Sequence, residues 1–200
     1  MRLLIAGDKT RFIHLKQLIT ELGKIGIESK LIYDLEFIDK FFEMNIKKKI
    51  DRNKNFREIL NEFNPDAVLL DRISKIGKKV IEQNIPLLIL LRGNLWEESS
   101  WAKKTIYKSR IKKLALAKNE RLIDFCLKKS SIILPISKYL ENEVKKRYPE
   151  KNVELFPADG RVPEEWYSIT GQKLKHPCVG LLQGLNIWGK SKELLTLKNV

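Results

Sequence analysis

Short apolar runs alternate along this chain with longer stretches in which apolar residues recur every three or four positions. Arg2–Ala6, Ser29–Tyr33, Ala67–Leu70, Pro86–Leu91, Ser131–Leu134 and Val153–Phe156 have the length and bounding of strands. Pro86–Leu91 is apolar on both faces, as a central parallel strand is. Between the strands, Phe12, Leu15, Leu18, Ile19 and Leu22 fall at helical spacing, and Gly23 or Gly26 ends that helix. A charged helical region closes on Phe56, Ile59, Leu60 and Phe63. Asn64-Pro65-Asp66 marks a turn, and Ile76, Val80 and Ile81 mark a helix. One long helix is predicted from Ala102 to Lys129, and Ser137 is placed to cap another. Strands alternating with helices predict an α/β domain with a doubly wound, mostly parallel, Rossmann-like sheet over residues 1–156.

From Pro157 the character changes. Pro157, Gly160, Pro163, Gly171 and Pro177 punctuate a stretch with little periodicity, so 157–176 reads as an interdomain linker. Cys178–Leu182 then resembles a new strand and Lys190–Leu197 a helical start. Residues 177–200 thus read as the first strand and helix of an incomplete second domain.

The composition narrows the classes. The chain has 200 residues, 43% of them hydrophobic, enough for a buried core and incompatible with a wholly disordered chain. Two cysteines, Cys126 and Cys178, do not make a disulfide scaffold or a cysteine-rich zinc module. The first apolar run is shorter than a secretory core, and Ile85–Leu91 is far short of a membrane span. A cytoplasmic protein is expected, peripheral on the inner face of the membrane if its basic surface docks there. The bias to Lys, Glu and Ile, with few Cys and Met, is thermophile-like.

The formal charge is +14. Much of it sits in Trp101–Ser130, where ten Lys and Arg face Glu120 and Asp124, a net +8. Tyr107, Ile111, Leu114, Ala115, Leu122, Phe125 and Cys126 would form the apolar face of one helix, and Lys104, Lys108 and Lys112 an i, i+4 row on another face. This pattern is either the solvated outside of a packed helix or a docking face for anionic lipid. No zinc finger, helix-turn-helix or aromatic RNA-binding motif speaks for nucleic acid.

Enzyme motifs are mostly absent. There is no G-x-G-x-x-G after the first strand, no P-loop, no H-E-x-x-H, no C-x-x-C and no G-x-S-x-G, so no metal is expected. What remains is a set of polar residues at the carboxyl ends of the strands, where such sheets bind ligands. They are Asp8, Asp34, Asp71-Arg72, Arg92-Gly93-Asn94 and Ser137, with His14 in the first turns of the first helix.

These segments together resemble the N-terminal half of retaining, nucleotide-sugar-dependent glycosyltransferases of the two-domain GT-B type, the group 1 or family 4-like enzymes. The likeness rests on order and spacing across the whole chain. Leu3–Gly7, His14 and Ser29–Tyr33 match the opening strand, Gly-bearing loop, His-bearing helix and second strand. Asn64-Pro65-Asp66-Ala67-Val68-Leu69-Leu70 matches a Pro-Asp strand, and Ile85-Pro86 to Leu91 a strand that the family often ends in His-Gly, here Arg92-Gly93. Ser130-Ser131-Ile132-Ile133-Leu134-Pro135-Ile136-Ser137 and Pro157-Ala158-Asp159-Gly160 match two further motifs.

The resemblance implies sugar transfer from a nucleotide-sugar co-substrate to a glycan or lipid-linked acceptor, with no tightly bound cofactor. Gly7, His14, Arg92, Gly93 and Ser137 would line the acceptor-side cleft, and Lys190 would face the donor phosphate. Leu185 stands where the family has a second, phosphate-binding Arg, and Arg92 could not shuttle a proton as His could. The family's paired-glutamate motif lies beyond Val200, so the chain alone is expected to be inactive. The second reading is a non-catalytic Rossmann-like module docking through its basic helix on an anionic membrane or partner.

Overall fold

A computed structural model describes residues 1–37 and 46–156. The chain divides into two units, Met1–Arg161 and Val162–Val200. The described residues all belong to the first. The expected linker at 157–176, the strand and helix at 177–200, and Lys190 lie outside them.

Five strands form one parallel sheet in the order β2-β1-β3-β4-β5. They are β1 Arg2–Gly7, β2 Glu28–Tyr33, β3 Ala67–Leu70, β4 Leu87–Leu91 and β5 Ile132–Pro135. The helices are α1 Phe12–Lys24, α2 Ile46–Phe63, α3 Lys75–Glu82, α4 Leu95–Thr105, α5 Arg110–Lys129 and α6 Lys138–Arg147. The α/β, Rossmann-like architecture is the one expected from the alternation of patterns.

The two-residue period of the strands sorts their side chains between two cores. Leu4, Ala6, Val68, Leu70, Leu87, Ile89 and Leu91 face a core completed by Phe56 and Leu60 of α2, Ile76 and Val80 of α3, Cys126 and Leu127 of α5, and Leu140 and Val144 of α6. Leu3, Ile5, Ala67, Leu69 and Leu90 face the other, where α1 packs through Leu15, Leu18, Ile19 and Leu22. A strand buried on both faces reads as a continuous apolar run, which is why β3 and β4 stand out in the sequence.

The returns from helix to strand share a device. Gly26, Asn64 and Asn84 follow α1, α2 and α3 with φ of 78°, 44° and 56°. Glycine and asparagine tolerate this left-handed conformation best, and it turns the chain back to the sheet. Asp66 then fixes the start of β3 against β1: Arg2 donates its backbone N–H to Asp66 Oδ2 at 2.6 Å, and Asp66 N–H returns to the Arg2 carbonyl at 2.9 Å. The Pro-Asp motif is therefore a structural tie at the amino edge of the sheet.

Two expectations are corrected. Val153–Phe156 is not a full strand. Val153 forms one parallel bridge to Ile133, and backbone hydrogen bonds from Glu154 to Ile133 and from Phe156 to Pro135 run the segment alongside β5. The helix predicted over Ala102–Lys129 is two helices. α4 begins earlier, where the Asn94 side chain accepts from Glu97 N–H, and closes with the N–H groups of Ile106 and Tyr107 on the Ala102 carbonyl. Ser109 is extended, and its hydroxyl accepts from Lys112 N–H to start α5. A serine with a free donor three residues ahead caps more readily than it continues a helix.

The elbow between α4 and α5 undoes the proposed faces. Lys104, Lys108 and Lys112 stay exposed, but lie on α4, on the elbow and on α5, so they form no row on one helix. Ile111 and Leu114, expected on the packed face, are 66% and 72% exposed, while Leu116 is buried instead.

Candidate functional site at the carboxyl edge of the sheet

The sheet order reverses between β1 and β3, and the crevice outside their carboxyl ends is where open parallel sheets bind ligands. Residues from four loops meet there. Asp71, directly after β3, has no exposed side-chain surface. Its Oδ1 accepts from Arg92 Nε, after β4, at 2.5 Å, and its Oδ2 lies 3.6 Å from Arg11 Nε, before α1. Arg72 turns the other way. Its guanidinium donates to Asp34, after β2, at 3.0 Å and lies 3.4 Å from Asp8, after β1.

Three carboxylates and three guanidinium groups thus form two triads, Arg92–Asp71–Arg11 and Asp8–Arg72–Asp34, and the charge of Arg11 also acts on Asp8, so that together they make a charge-balanced lattice. Backbone hydrogen bonds hold its base: Asp71 N–H donates to the Ala6 carbonyl, as a continuation of the β1–β3 ladder. The electrostatics differ from site to site. Asp8 accepts from the Thr10 backbone N–H and hydroxyl, and these bonds hold its carboxyl below the usual range. Burial pushes Asp34 the other way, above the usual carboxylate range, with Arg72 opposing. The exposed parts of the lattice are the heads of Arg72 and Arg11, each about half exposed, with Asp8 between the loops. Such an edge can offer guanidinium donors and carboxylate acceptors to a hydroxyl-rich ligand. Below Arg72 a smaller hollow of 360 Å³ is lined by Arg72, Ile73, Ser74, Leu95 and Leu122, among others.

The residues singled out from the sequence take distinct places. Gly7 and Arg92 come together at Asp71. A Cβ on Gly7 would overlap Leu15 and come within 3.5 Å of Asp71 Cβ, so glycine is what lets α1 and Asp71 close on the strand end. Arg92 is turned onto Asp71 rather than out into a cleft, and is only 12% exposed. A Cβ on Gly93 would meet Glu98 Oε1 at 2.5 Å, so Gly93 seats α4 against β4. Ser137 uses its hydroxyl to cap α6, accepting from Leu140 N–H at 3.3 Å. His14 lies in the first turn of α1, half-buried, with Nδ1 buried and accepting no hydrogen bond among the described residues.

Asp34, Asp71 and Arg72 are marked in the sequence only by their strand-end position, and Arg11, which lies beyond the end of β1 just before α1, carries no such mark and is missed. The Asp71-Arg72 pair carries a further signal, because adjacent residues at a strand end point to opposite sides and can each recruit a partner. Among the described residues, no group of three or more His, Cys, Asp or Glu is placed to hold a metal ion. None of the described helices is long and apolar enough to cross a membrane.

No family model and no curated protein matches the chain. Solved structures do. UDP-GlcNAc 2-epimerase from Neisseria meningitidis, bound to UDP-GlcNAc, superposes with a TM-score of 0.50 at 18% identity over 78% of this chain and 45% of the epimerase. The epimerase from Rickettsia bellii gives 0.45 at 18% identity, over 76% of this chain and 43% of that one. The chain therefore spans less than half the length of these structures. The first likeness bears on fold: a parallel Rossmann-like domain of the GT-B type.

Proposed function

We propose that this chain is the N-terminal, acceptor-side part of an enzyme that acts on nucleotide-sugars, and that its reaction is glycosyl transfer to a glycan or lipid-linked acceptor. The observation that carries this reading is the Asp–Arg lattice at the switch point of a GT-B-type sheet. The solved relative with this fold binds a nucleotide-sugar, which supports the substrate class. In the transfer, the bond from the sugar's anomeric carbon to the diphosphate oxygen breaks. The nucleoside diphosphate leaves with its electron pair, and the acceptor hydroxyl forms the new bond and gives its proton to the departing diphosphate oxygen. Arg72, Arg11 and Asp8 would orient acceptor hydroxyls, with His14, Arg92, Gly93, Gly7 and Ser137 shaping the loops around them. Lys190 would face the departing diphosphate.

The test is a turnover assay with labelled nucleotide-sugars and glycan or lipid-linked acceptors, on the 200-residue chain and on any longer product of its reading frame. Glycosylated acceptor, lowered more than tenfold by R72Q and by K190A, is the expected result from an active product. Epimerised nucleotide-sugar without transfer would overturn the reaction assigned, and full activity in both variants would overturn the site.

The α4–α5 elbow favours a second role, docking on an anionic membrane. Trp101, Ile106, Ile111 and Leu114 are 41%, 52%, 66% and 72% exposed, and Lys103, Lys104, Lys108, Arg110, Lys112 and Lys113 surround them. Apolar side chains that enter the headgroup region beneath a rim of cations, each contributing about 1 kcal/mol near an anionic surface, suit a bilayer. Lys103 and Glu120, paired at 2.6 Å, brace the elbow. Cosedimentation that favours anionic over neutral liposomes, and that falls with salt and in I111N/L114N, is expected. Equal binding to both lipids would end this role.

A further inference from the structure

We propose that the outer edge of β2 pairs antiparallel with the same edge of a second copy of this chain, about a two-fold axis at Ser29, so that two five-stranded sheets join into one. β2 stands at the end of the sheet order. The backbone groups of a strand point alternately to its two sides, and Glu28 donates its N–H to the Met1 carbonyl on the β1 side at 3.0 Å. Glu28, Lys30 and Ile32 therefore turn their N–H and C=O groups toward β1, and Ser29 and Leu31 turn theirs outward. Among the described residues nothing bonds to the outward groups of Ser29 and Leu31. Such a row of unmet donors and acceptors is a template for another strand.

The sequence of the edge selects both the partner and the register. A two-fold antiparallel pair must set outward groups against outward groups, so its axis passes through a residue and not between two. An axis at Glu28 would set Glu28 against itself, and one at Lys30 would set Lys30 against itself, with about 4.5 Å between Cα atoms. An axis at Leu31 would set Lys30 against Ile32. The axis at Ser29 sets Glu28 against Lys30 of the second copy, twice, and like charges nowhere. Neither side chain has an ion pair among the described residues, and Lys30 lies 5.9 Å over the Phe63 ring, a contact that leaves its charge uncancelled. On the other face of the strand the same register sets Ile27 against Leu31 of the second copy, and both already pack on the α1 side of the sheet. The backbone agrees. Ser29 N–H would donate to the Ser29 carbonyl of the second copy, and Leu31 N–H to the Ile27 carbonyl, while Ile27 N–H stays on the Leu22 carbonyl at 3.0 Å. The Ser29 hydroxyl, buried without a hydrogen bond among the described residues, would meet its equivalent across the axis.

None of Ile27, Glu28, Ser29, Lys30 and Leu31 belongs to the strand-end lattice, so this assignment stands apart from the proposed reaction. Sedimentation equilibrium of the 200-residue chain tests it. A dimer that weakens as salt rises is expected. E28K and K30E each replace two attractions per dimer by two repulsions, and each should weaken dimerisation at least about tenfold. Mixed in equal amounts, the two variants again set opposite charges together at both contacts. They should associate with each other within about threefold of the parent's affinity, a rescue that damage to the fold of either variant would not give. S29P removes an N–H that has no partner in the single chain, so it should keep the parent's circular dichroism and lose the dimer. A chain that stays monomeric at about 1 mM, a dimer indifferent to E28K, K30E or S29P, or failure of the mixed variants to associate would each overturn the proposal.

Discussion

Replacing Arg92 by alanine tests whether the strand-end lattice is built into the fold. In the parent, the Asp71 carboxylate has no exposed surface, and Arg92 Nε sits 2.5 Å from Oδ1. Removing the guanidinium leaves a buried carboxylate whose remaining ion-pair partner is Arg11 at 3.6 Å, half exposed and outside hydrogen-bond reach. Breaking a buried pair from one side costs about 3–5 kcal/mol, because the orphaned charge keeps its desolvation penalty. Arg11 persists, so the low end, about 3 kcal/mol, is expected for R92A. With a urea m-value of about 2 kcal/mol/M, that moves the unfolding midpoint down by about 1.5 M. D71N removes the charge that Arg92 compensates, so R92A should cost much less in that background, with a coupling of at least about 1 kcal/mol. Urea unfolding of the parent, both single variants and the double variant measures each quantity. A loss below about 1 kcal/mol in R92A, or strict additivity in the double variant, would refute the reasoning and leave Arg92 a loop residue free to meet ligand.

Three further outcomes follow from packing and titration. G77A should lower stability by about 1 kcal/mol despite the better helix propensity of alanine, because its Cβ would lie 2.9 Å from both Cys126 Sγ and Leu70 Cδ1; a raised melting temperature would contradict this. Burial pushes the Cys126 thiol up to about 12, so in a C178S background a thiol reagent at pH 8 should label it only as fast as the protein opens. Acid should destabilise the fold. Hydrogen bonds from Thr10, Lys103, Lys128 and Lys138 are the leading causes that hold Asp8, Glu120, Asp124 and Glu141 below their usual values. The stability these groups lend is complete above their unfolded values, about pH 4, and is lost as pH falls below them. Asp34, raised by burial, works in the opposite direction, so four groups outweigh one. Urea midpoints between pH 3 and 7 should fall on the acid side, and a flat profile would contradict the assignment.

Much of the scaffold is legible because its determinants are local. Parallel strands covered on both faces must be apolar runs, and Ala67–Leu70 and Leu87–Leu91 are. Asn64 and Gly26 announce the turns that they make. The elbow is not legible in the same way, because Ile111 and Leu114 keep helical spacing with Leu122 and Phe125 across residues that pack and residues that do not. Only the cap at Ser109 marks the break, and a serine inside a basic helical pattern is also compatible with a solvated position. At the strand ends, position along the chain locates Asp34, Asp71, Arg72 and Arg92, but not their pairing. A polar loop residue looks the same in sequence whether it faces water or sits at no exposure beneath two arginines.

The distribution of charge separates the surfaces by the work that each can do. A formal +14 spread evenly would favour any polyanion weakly. Instead the strand-end lattice is neutral by construction, which suits a ligand read through hydroxyl groups and directional hydrogen bonds. The elbow between α4 and α5 places cations around exposed apolar tips, which suits an extended anionic surface.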